Sequence, residues 1–554
     1  MKKYFLKVAF ISLILIMICK ISMNAQSLAW AAIYSNTGPD GGKAIAIDGS
    51  GNVYVGGNAC TTSGEPNNHN MFLVKYNSSG TQLWTASYDG PGYQDASIKF
   101  DNDGIADIVL DSSGSNIYVT GTSWNGATQQ YDITTIKYNS SGTQIWLRNY
   151  GAATTWDQGY SIGIGSGANA NVFVTGESNL DLYLLKYNSS GTLQWATSYN
   201  GPGNSDDLPY DLKVVPSNNR AYVTGLTYNS GGSTDCLTLK YNTITGAIVW
   251  SAIYNSAANG PDEAYSVDVD VNSNVYVCGI TTVSSIDGLL LKYNSAGGFV
   301  WASTYDNGGG ADGFHSLDVD NNSSASIYVT GQKMIGNNIH DHDYITAKYN
   351  AAGTQQWITS YDGSASGAVS SIDEPTKILI SPFTGKIWVT GSSEETTTGN
   401  DITTIRYNPS TGAQEWIDSY DNINKFDETG DFYPMAIAYD ACHDNDIIYI
   451  TGATEINTSP DWDVVTLKYN VTGDCTLRTL NDDNAFEEKQ KDQIYPDNSI
   501  VTYYNLLGEK ILEKQLSDKK LAAKDYSLLP GIYIKIVQNS GNILLRQKVF
   551  ITRQ

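Results

Sequence analysis

Short segments in which apolar and polar residues alternate recur along most of the chain, and residues that favour turns separate them. Residues 53–57, 117–121 and 327–331 each combine β-branched or aromatic residues with a closing Gly. Such alternation is typical of half-buried β-strands, and Gly, Asn, Asp and Ser between the segments favour tight turns. The pattern predicts an all-β fold made of many short antiparallel strands.

A longer repeat organises these strands. The tripeptide Lys-Tyr-Asn, with Arg for Lys in one copy, occurs eight times at spacings of 49 to 62 residues. The copies begin at residues 75, 137, 186, 240, 292, 348, 406 and 468. In the first seven copies a Gly turn and then a Trp follow: Trp84, Trp146, Trp195, Trp250, Trp301, Trp357 and Trp416. This regularity predicts eight copies of one structural unit.

The eighth copy departs from this pattern. Cys475 and Arg478 occupy the region where its Trp is expected, whereas Trp30 lies in an unpaired strand-like segment near the N-terminus. Each unit has four predicted strands, named a to d in chain order, with Lys-Tyr-Asn on strand c and Trp on the outer strand d. We therefore predict an eight-bladed β-propeller over residues 26–480, with four-stranded antiparallel blades. The N-terminal strand supplies strand d of the last blade and closes the ring.

Two segments resemble known propeller families. Residues 48–57, Asp-Gly-Ser-Gly-Asn-Val-Tyr-Val-Gly-Gly, resemble the repeats of secreted bacterial β-propeller (SBBP-like) proteins. Residues 245–250, which end in Trp250, resemble the tryptophan-docking motif of eight-bladed quinoprotein propellers. The second resemblance implies that each Trp packs between neighbouring blades and has a structural role.

The N-terminus has the pattern of an export signal. Basic residues precede an apolar run over residues 8–19, and the small Ala25 lies near a plausible cleavage point. We therefore predict that residues 1–25 are a signal peptide. The apolar run is short for a transmembrane span, so we expect a mature chain outside the cytoplasm with no transmembrane anchor.

The C-terminal segment differs from the repeats. Residues 481–493 form a polar linker, and residues 494–554 contain motifs at 495–496, 504–510, 529–533 and 548–549. These motifs resemble the C-terminal sorting domain that directs Bacteroidetes proteins through the type IX secretion system. The resemblance implies a small β-sandwich-like domain, the type IX machinery as a partner, and a secreted or outer-membrane-surface location. An accessory β-domain without a sorting role is the alternative.

Charge and cysteine content narrow the function. The body between the signal peptide and residue 485 carries 18 basic and 49 acidic residues. This excess of negative charge argues against nucleic acid and anionic membranes as binding partners. It favours the binding of cations, or it has no role beyond keeping the protein soluble. The cysteines outside the signal peptide, Cys60, Cys236, Cys278, Cys442 and Cys475, are odd in number, and only Cys442 with Cys475 is a candidate disulfide.

Aspartates occupy two repeated positions. One series lies five residues before the repeated Lys or Arg, with Asn70 in the first unit: Asp132, Asp181, Asp235, Asp287, Asp343, Asp401 and Asp463. A second series leads into strand a: Asp40, Asp103, Asp157, Asp207, Asp262, Asp312 and Asp373. Both series should crowd one face, because the b–c and d–a connections share an end of an antiparallel sheet. The aspartate positions are nearly the same in every unit, whereas a catalytic site needs unlike groups in unlike environments. We therefore expect these carboxylates to accept hydrogen bonds from backbone N–H groups, with cation binding as the alternative.

Two segments could hold a metal ion. Asp101, Asp103 and Asp107 cluster around a Gly, and calcium prefers several oxygens from a tightly turning chain, so these residues are our candidate calcium site. His340 and His342 alternate along a segment, so they could bind a transition metal, and His315 belongs to the same unit. An exposed connection explains the histidine run equally well.

The sequence shows no catalytic constellation. There is no nucleophile triad, no phosphate-binding Gly loop and no adjacent Cys pair. We therefore expect a non-catalytic propeller that binds an extracellular protein or glycan. The alternatives are a polysaccharide hydrolase or lyase with carboxylates in the central channel, and a passive structural protein. The irregular segments 93–102, 340–343 and 422–433 are the expected places for function.

Overall fold

The structure is a computed structural model, and it divides the chain into two compact units. The larger one comprises Leu28–Asp440 and Asp446–Tyr469, and the smaller one Met1–Ser27, Ala441–Asn445 and Asn470–Gln554. The structure describes residues 25–36, 38–60, 68–90, 101–125, 130–152, 155–167, 170–308, 310–320, 325–336, 341–363, 371–382, 384–395, 399–420, 436–439, 447–455, 462–472, 500–504, 510–515, 531–539 and 542–551.

These residues are almost entirely β-strand, as the alternating pattern predicts. The first strands are β1 Ala25–Tyr34, β2 Asp40–Ile47, β3 Val53–Cys60, β4 Asn68–Tyr76, β5 Gln82–Tyr88, β6 Asp101–Asn102, β7 Gly104–Leu110, β8 Asn116–Asn125, β9 Gln130–Asn139 and β10 Gln144–Tyr150. The next are β11 Gln158–Ile164, β12 Val172–Ser178, β13 Asp181–Tyr187, β14 Leu193–Tyr199, β15 Asp207–Val215, β16 Arg220–Tyr228, β17 Thr234–Asn242 and β18 Ile248–Tyr254, with a single 3-10 turn at Pro216–Asn218.

The remaining strands continue the same order. They are β19 Glu263–Val269, β20 Val275–Thr282, β21 Ile286–Tyr293, β22 Phe299–Tyr305, β23 Gly313–Val319, β24 Ser326–Met334, β25 Asp341–Asn350, β26 Gln355–Tyr361, β27 Ser371–Ile380, β28 Ile387–Glu395, β29 Gly399–Tyr407, β30 Gln414–Tyr420, β31 Ala436–Tyr439, β32 Ile448–Glu455 and β33 Trp462–Thr472. The C-terminal strands are β34 Ile500–Tyr504, β35 Lys510–Gln515, β36 Gly531–Asn539 and β37 Asn542–Ile551.

The strands before residue 473 form antiparallel groups of four, and two short parallel pairings, β4 with β6 and β25 with β27, add strand contacts beyond these groups. Strands a to d lie side by side in chain order, as in β2-β3-β4-β5 and β11-β12-β13-β14, and the last sheet has the order β1-β33-β32-β31. Strand a of each sheet contacts strand a of the next, and β31 contacts β2. The predicted placement is confirmed, because Lys-Tyr-Asn lies on strand c and Trp on the outer strand d.

At six of the eight junctions between neighbouring sheets, a Lys and a Trp of one sheet donate to the same backbone carbonyl of the next. The Nζ of Lys240 and the indole N–H of Trp250 both donate to the carbonyl of Ser295, at 2.7 and 3.4 Å. Lys240 also lies over the ring of Tyr222, 5.3 Å from its centroid, so the ammonium group is held by a carbonyl and an aromatic face. Gly297, at φ +86°, follows in the same turn and lies against the indole of Trp250.

The same pair of donors joins the last sheet to the first. Lys468 Nζ and Trp30 Nε1 donate to the carbonyl of Ser78, at 2.8 and 3.1 Å. Gly80, at φ +83°, lies against the Trp30 indole as Gly297 does against its own partner. The N-terminal strand therefore supplies the Trp that the eighth repeat lacks.

The smaller unit contains one four-stranded antiparallel sheet among its described residues. Its order is β35-β34-β36-β37. The predicted β-sandwich-like arrangement stays a prediction, since these residues supply a single sheet. Among all the residues that the structure describes, no helix is long and apolar enough to cross a membrane.

Candidate functional site

The aspartates that lead into strand a fasten the connections on one side of the sheets. Asp262 accepts hydrogen bonds from Ser256 N at 2.6 Å, from Thr282 N at 3.2 Å and from the hydroxyl of Thr281. Asp312 repeats the arrangement with the backbone N–H groups of Asn307 and Met334. Each carboxylate thus ties the d–a connection to the end of strand b, as the sequence predicts.

We expect Asp262→Asn to lower the free energy of unfolding by roughly 1–3 kcal/mol. In the variant, the amide nitrogen of Asn would replace a carboxylate oxygen, so a backbone N–H that donates to Asp262 in the wild type would face another donor. The measurement is the midpoint of urea unfolding. Asp206→Asn is the control, since no hydrogen bond of the Asp206 side chain is among the contacts of the described residues. An unchanged midpoint for Asp262→Asn would refute the fastening role.

The first series of aspartates, five residues before the repeated Lys or Arg, lies beside the second series. Burial, and then the neighbouring charge of Asp262, raise the pKa of Asp235, while its hydrogen bond from Asn229 lowers it. Asp343 of the first series and Asp373 of the second lie together with Asp362, and one carboxylate oxygen of each lies within 4.8 Å of the other two. The prediction that both series share one face is therefore confirmed. We call this side, which carries the b–c and d–a connections, the acidic face.

The candidate calcium residues have separate surroundings. The Asp101 backbone lies in β6, and its side chain is outside the described residues. Asp103 accepts hydrogen bonds from Gly90 N, Ser123 Oγ and Trp124 N at 2.6–2.9 Å.

Asp107 instead bonds across to the next sheet. Its Oδ2 accepts from Ser161 Oγ and Ile162 N, at 2.8 and 2.9 Å. Calcium at Asp101, Asp103 and Asp107 therefore stays a prediction. Its check is a rise of several degrees in melting temperature with calcium that EDTA reverses, and no shift would refute it.

The histidine segment is described in part. His340 lies outside the described residues, as do Cys442 and Cys475. His342 Nδ1 is 3.5 Å from Glu374 Oε1, and His315 Nδ1 is 3.1 Å from the carbonyl of Pro375. The predicted transition-metal site stays a prediction, since one of its ligands is not described.

Sequence reasoning missed a set of residues on the inner strands. In seven units strand a has a register shift opposite strand b, and one residue lies at the shift. These residues are Lys43, Ala106, Tyr160, Tyr210, Tyr265, His315 and Thr376. Each comes three positions after the second-series aspartate, so a comparison of repeats at that spacing would have found them. Unlike the aspartates, they differ from unit to unit.

Four of these residues form a continuous row of rings. The ring centroids of Tyr160 and Tyr210 are 6.3 Å apart, those of Tyr210 and Tyr265 5.6 Å, and those of Tyr265 and His315 6.2 Å. All four side chains are half-buried. We call this row, which crosses four consecutive inner strands, the aromatic arc.

Three ionisable residues, Lys213, Asp268 and Asp318, lie further along the inner strands β15, β19 and β23. Lys213 Nζ is 2.7 Å from Asp268 Oδ1, while Asp268 and Asp318 accept the N–H groups of Val319 and Ile380 in the following sheets. Burial first, and then the charge of Asp268, raise the pKa of Asp318 to about 7, although Lys213 opposes the shift. The inner strands therefore bring together a lysine and two aspartates whose positions are not part of the repeated sequence pattern.

Asp318 should make stability depend on pH. Its folded-state pKa lies above the unfolded value of about 4, so the folded state keeps a proton that the unfolded state loses between about pH 4 and pH 7. Stability from this group is therefore lost as pH rises through that window. We expect Asp318→Asn to be more stable than the wild type at pH 8, on the order of 1 kcal/mol, and similar to it at pH 4. Thermal unfolding at both pH values tests this, and an equal effect at both would contradict it.

Comparison with known proteins identifies the class of fold. No protein-family model matches the sequence, and no curated protein matches it. A solved structure described as the Dos1 propeller is similar with a TM-score of 0.50 at 8% identity, over 81% of this chain and 96% of that one. With the row of four-stranded antiparallel sheets, this likeness defines the protein as a β-propeller.

Two further solved structures are similar at lower TM-scores. Quinohemoprotein alcohol dehydrogenase from Comamonas testosteroni has a TM-score of 0.48 at 11% identity, over 81% of this chain and 77% of that one. The β-propeller domain of the Trilobed protease from Pyrococcus furiosus has 0.37 at 10% identity, over 67% and 95%. Likeness at such identities concerns the fold alone.

Proposed function

We propose that this chain is an eight-bladed propeller, closed by its N-terminal strand, that binds an extracellular protein or glycan without turnover. The signal peptide at 1–25 and the sorting module at 494–554 would export it through the type IX machinery to the medium or the outer-membrane surface. The contacts of Trp30 and Lys468 with Ser78 support the closure.

The observation that carries the binding role is the contrast between the two sides of the blades. On the side of the c–d turns, the Asn-to-Gly turn, the Lys and the Trp recur with nearly constant length. On the acidic face the b–c connection ranges from two residues, after Ser178, to seven, after Cys60. The d–a connections on the same face range from five residues, after Tyr34, to fifteen, after Tyr420, whereas the a–b connections on the opposite side range only from four to eight. Connections that vary strongly in length on a regular scaffold are typical of a binding surface.

The acidic face also exposes a large aromatic side chain. Trp156, in a d–a connection, is 63% exposed and packs edge-on against Tyr131 at a centroid distance of 5.6 Å. Tryptophan is enriched among the residues that contribute most to protein interfaces. The excess of acidic residues in the body favours a partner that is not itself acidic.

The experiment compares two equally exposed side chains on opposite sides. The mature chain would be labelled and applied to an immobilised glycan array and to the outer-surface fraction of the producing cells. We expect saturable retention that Trp156→Ala abolishes and that Ile244→Ala, 63% exposed in a c–d turn, leaves unchanged. Equal retention of both variants would refute binding through the acidic face.

A catalytic alternative has one observation in its favour. The shift residues on the inner strands differ between blades, and burial followed by the charges of Asp206 and Asp157 raises the pKa of Glu177 to about 7. A carboxyl with such a pKa beside a channel can serve as a general acid. The test is incubation with a polysaccharide panel, in which release of reducing or unsaturated ends, lost in Glu177→Gln, would overturn the non-catalytic proposal.

Export has its own test. Deletion of residues 494–554 should leave the propeller in the periplasm, where fractionation and immunoblotting would find it. A chain that still reaches the medium would assign the C-terminal module an accessory role.

A further inference from the structure

The aromatic arc has the geometry of a ligand-binding wall. Its residues lie on strands β11, β15, β19 and β23, which are the innermost strands of consecutive blades and contact one another. Because each ring belongs to the first strand of its sheet, the row runs from blade to blade along the innermost strands. The rings are half-buried and pack against each other at interplanar angles of 51–74°.

Carboxylates accompany the rings along the arc. Tyr265 Oη donates to Glu263 Oε2 at 3.1 Å, and burial, then Glu263, raises the pKa of Tyr210. At the other end, burial and then Glu177 and Asp206 raise the pKa of Tyr160 to about 12. Carboxyl groups therefore lie beside the rings at both ends of this part of the arc.

This negative charge is not neutralised within the blades. Glu177, Asp206 and Glu263 take part in none of the ion pairs among the described residues. All three side chains are half-buried, so water screens them less than it screens a fully exposed carboxylate. A cation placed at the arc would be attracted to these carboxylates and would offset the repulsion between Glu177 and Asp206.

We propose that the aromatic arc, with Glu177, Asp206 and Glu263, binds an arginine side chain presented by the partner protein. A guanidinium stacks on aromatic faces and donates to carboxylates in a planar fork, so it matches both features of the site. This inference rests on the proposed binding function and names the chemistry that the acidic face recognises. A neutral sugar would use the rings and leave the carboxylates unpaired, so the test separates the two ligands.

The probe is an acetylated, amidated pentapeptide Gly-Ser-Arg-Ser-Gly. Its matched control has citrulline, the neutral isostere, in place of arginine. Titration of each peptide with the full mature chain, followed by ligand-observed NMR, gives the two dissociation constants. We expect the arginine peptide to bind at least about fivefold more tightly, as one cation–aromatic contact with carboxylate support predicts. Equal affinities would overturn the proposal and favour a neutral ligand.

Variants locate the binding on the arc. Tyr210→Leu removes the middle ring and should weaken the arginine peptide by roughly three- to tenfold, whereas Tyr210→Phe should retain affinity. Glu263→Gln should weaken only the arginine peptide and leave the citrulline peptide unchanged. Tyr199→Leu, which removes a half-buried ring from outer strand β14, is the control for general destabilisation. If Tyr210→Leu binds as tightly as the wild type, the site lies elsewhere.

The outcome is separable from the proposed function. If the arginine peptide binds no more tightly than the citrulline peptide while Trp156→Ala still abolishes retention on the partner, the proposal for the aromatic arc is wrong. The proposed binding through the acidic face is then still supported. If Trp156→Ala keeps full retention, the acidic-face role is lost, whatever the peptide does.

Discussion

Replacing Trp30 by Ala should destabilise the propeller by roughly 3–5 kcal/mol, although this residue lies only a few positions after the predicted cleavage point at Ala25. Its indole packs against Gly80 and near Tyr76 and Tyr449, at centroid distances of 6.2 and 5.9 Å, and donates to the carbonyl of Ser78. The substitution removes these contacts from the junction between the last and first blades. Calorimetric unfolding of the mature chain measures the loss.

The matched control is Trp156→Ala, because Trp156 is 63% exposed and should cost roughly 0.5 kcal/mol or less. A second experiment on the same junction deletes residues 28–36, which removes most of β1, the fourth strand of the last sheet. The deleted chain should unfold at lower temperature, and a synthetic peptide of residues 25–36 should restore the transition by adding that strand back. The same peptide with Trp30→Ala should restore it poorly. Equal melting of the deletion and the parent would refute closure by the N-terminal strand.

Adding a single methyl group at Gly279 should cost roughly 3 kcal/mol or more. A Cβ at this position would lie 1.9 Å from the carbonyl oxygen of Glu263 and 2.9 Å from the Cα of Ala264. Both atoms belong to the backbone of the neighbouring strand a, next to the register shift between Ala264 and Ser266. A backbone atom cannot rotate away as a side chain can, so the sheet itself must move.

The urea midpoint of Gly279→Ala tests this, with Gly165→Ala as the control. The nearest atom to a Cβ at Gly165 is 3.5 Å away, so that variant should be close to neutral. The same close approach to strand a occurs at equivalent glycines: Gly57, Gly121, Gly225, Gly331 and Gly391. A neutral effect of Gly279→Ala would mean that the backbone of strand a moves at little cost to make room for the methyl group. Close approach of strand a would then no longer explain why the repeated Val-Tyr-Val-Thr-Gly segment ends in Gly.

Much of the fold could be predicted from the sequence, because its signals are local and repeated. Alternation marked the strands, Asn-to-Gly turns separated them, and the missing eighth Trp pointed to Trp30 as the closing residue. The second aspartate series was also assigned correctly, since an Asp beside a turn has backbone N–H groups within reach. The same reasoning could not show that Asp103 and Asp107, four residues apart, bond to donors of different sheets.

The sequence by itself determined the all-β class, the eight repeats and the strand that carries each motif, because these follow from patterns within one unit. The tertiary structure decided which residues of different units meet. Tyr160, Tyr210 and Tyr265 lie about fifty residues apart. Their shared position in the repeat can be read from the sequence, but the contacts between their rings and the grouping of Lys213, Asp268 and Asp318 cannot. Packing of inner strands around a common axis brings such residues together, and periodicity along the chain contains no information about contacts across that axis.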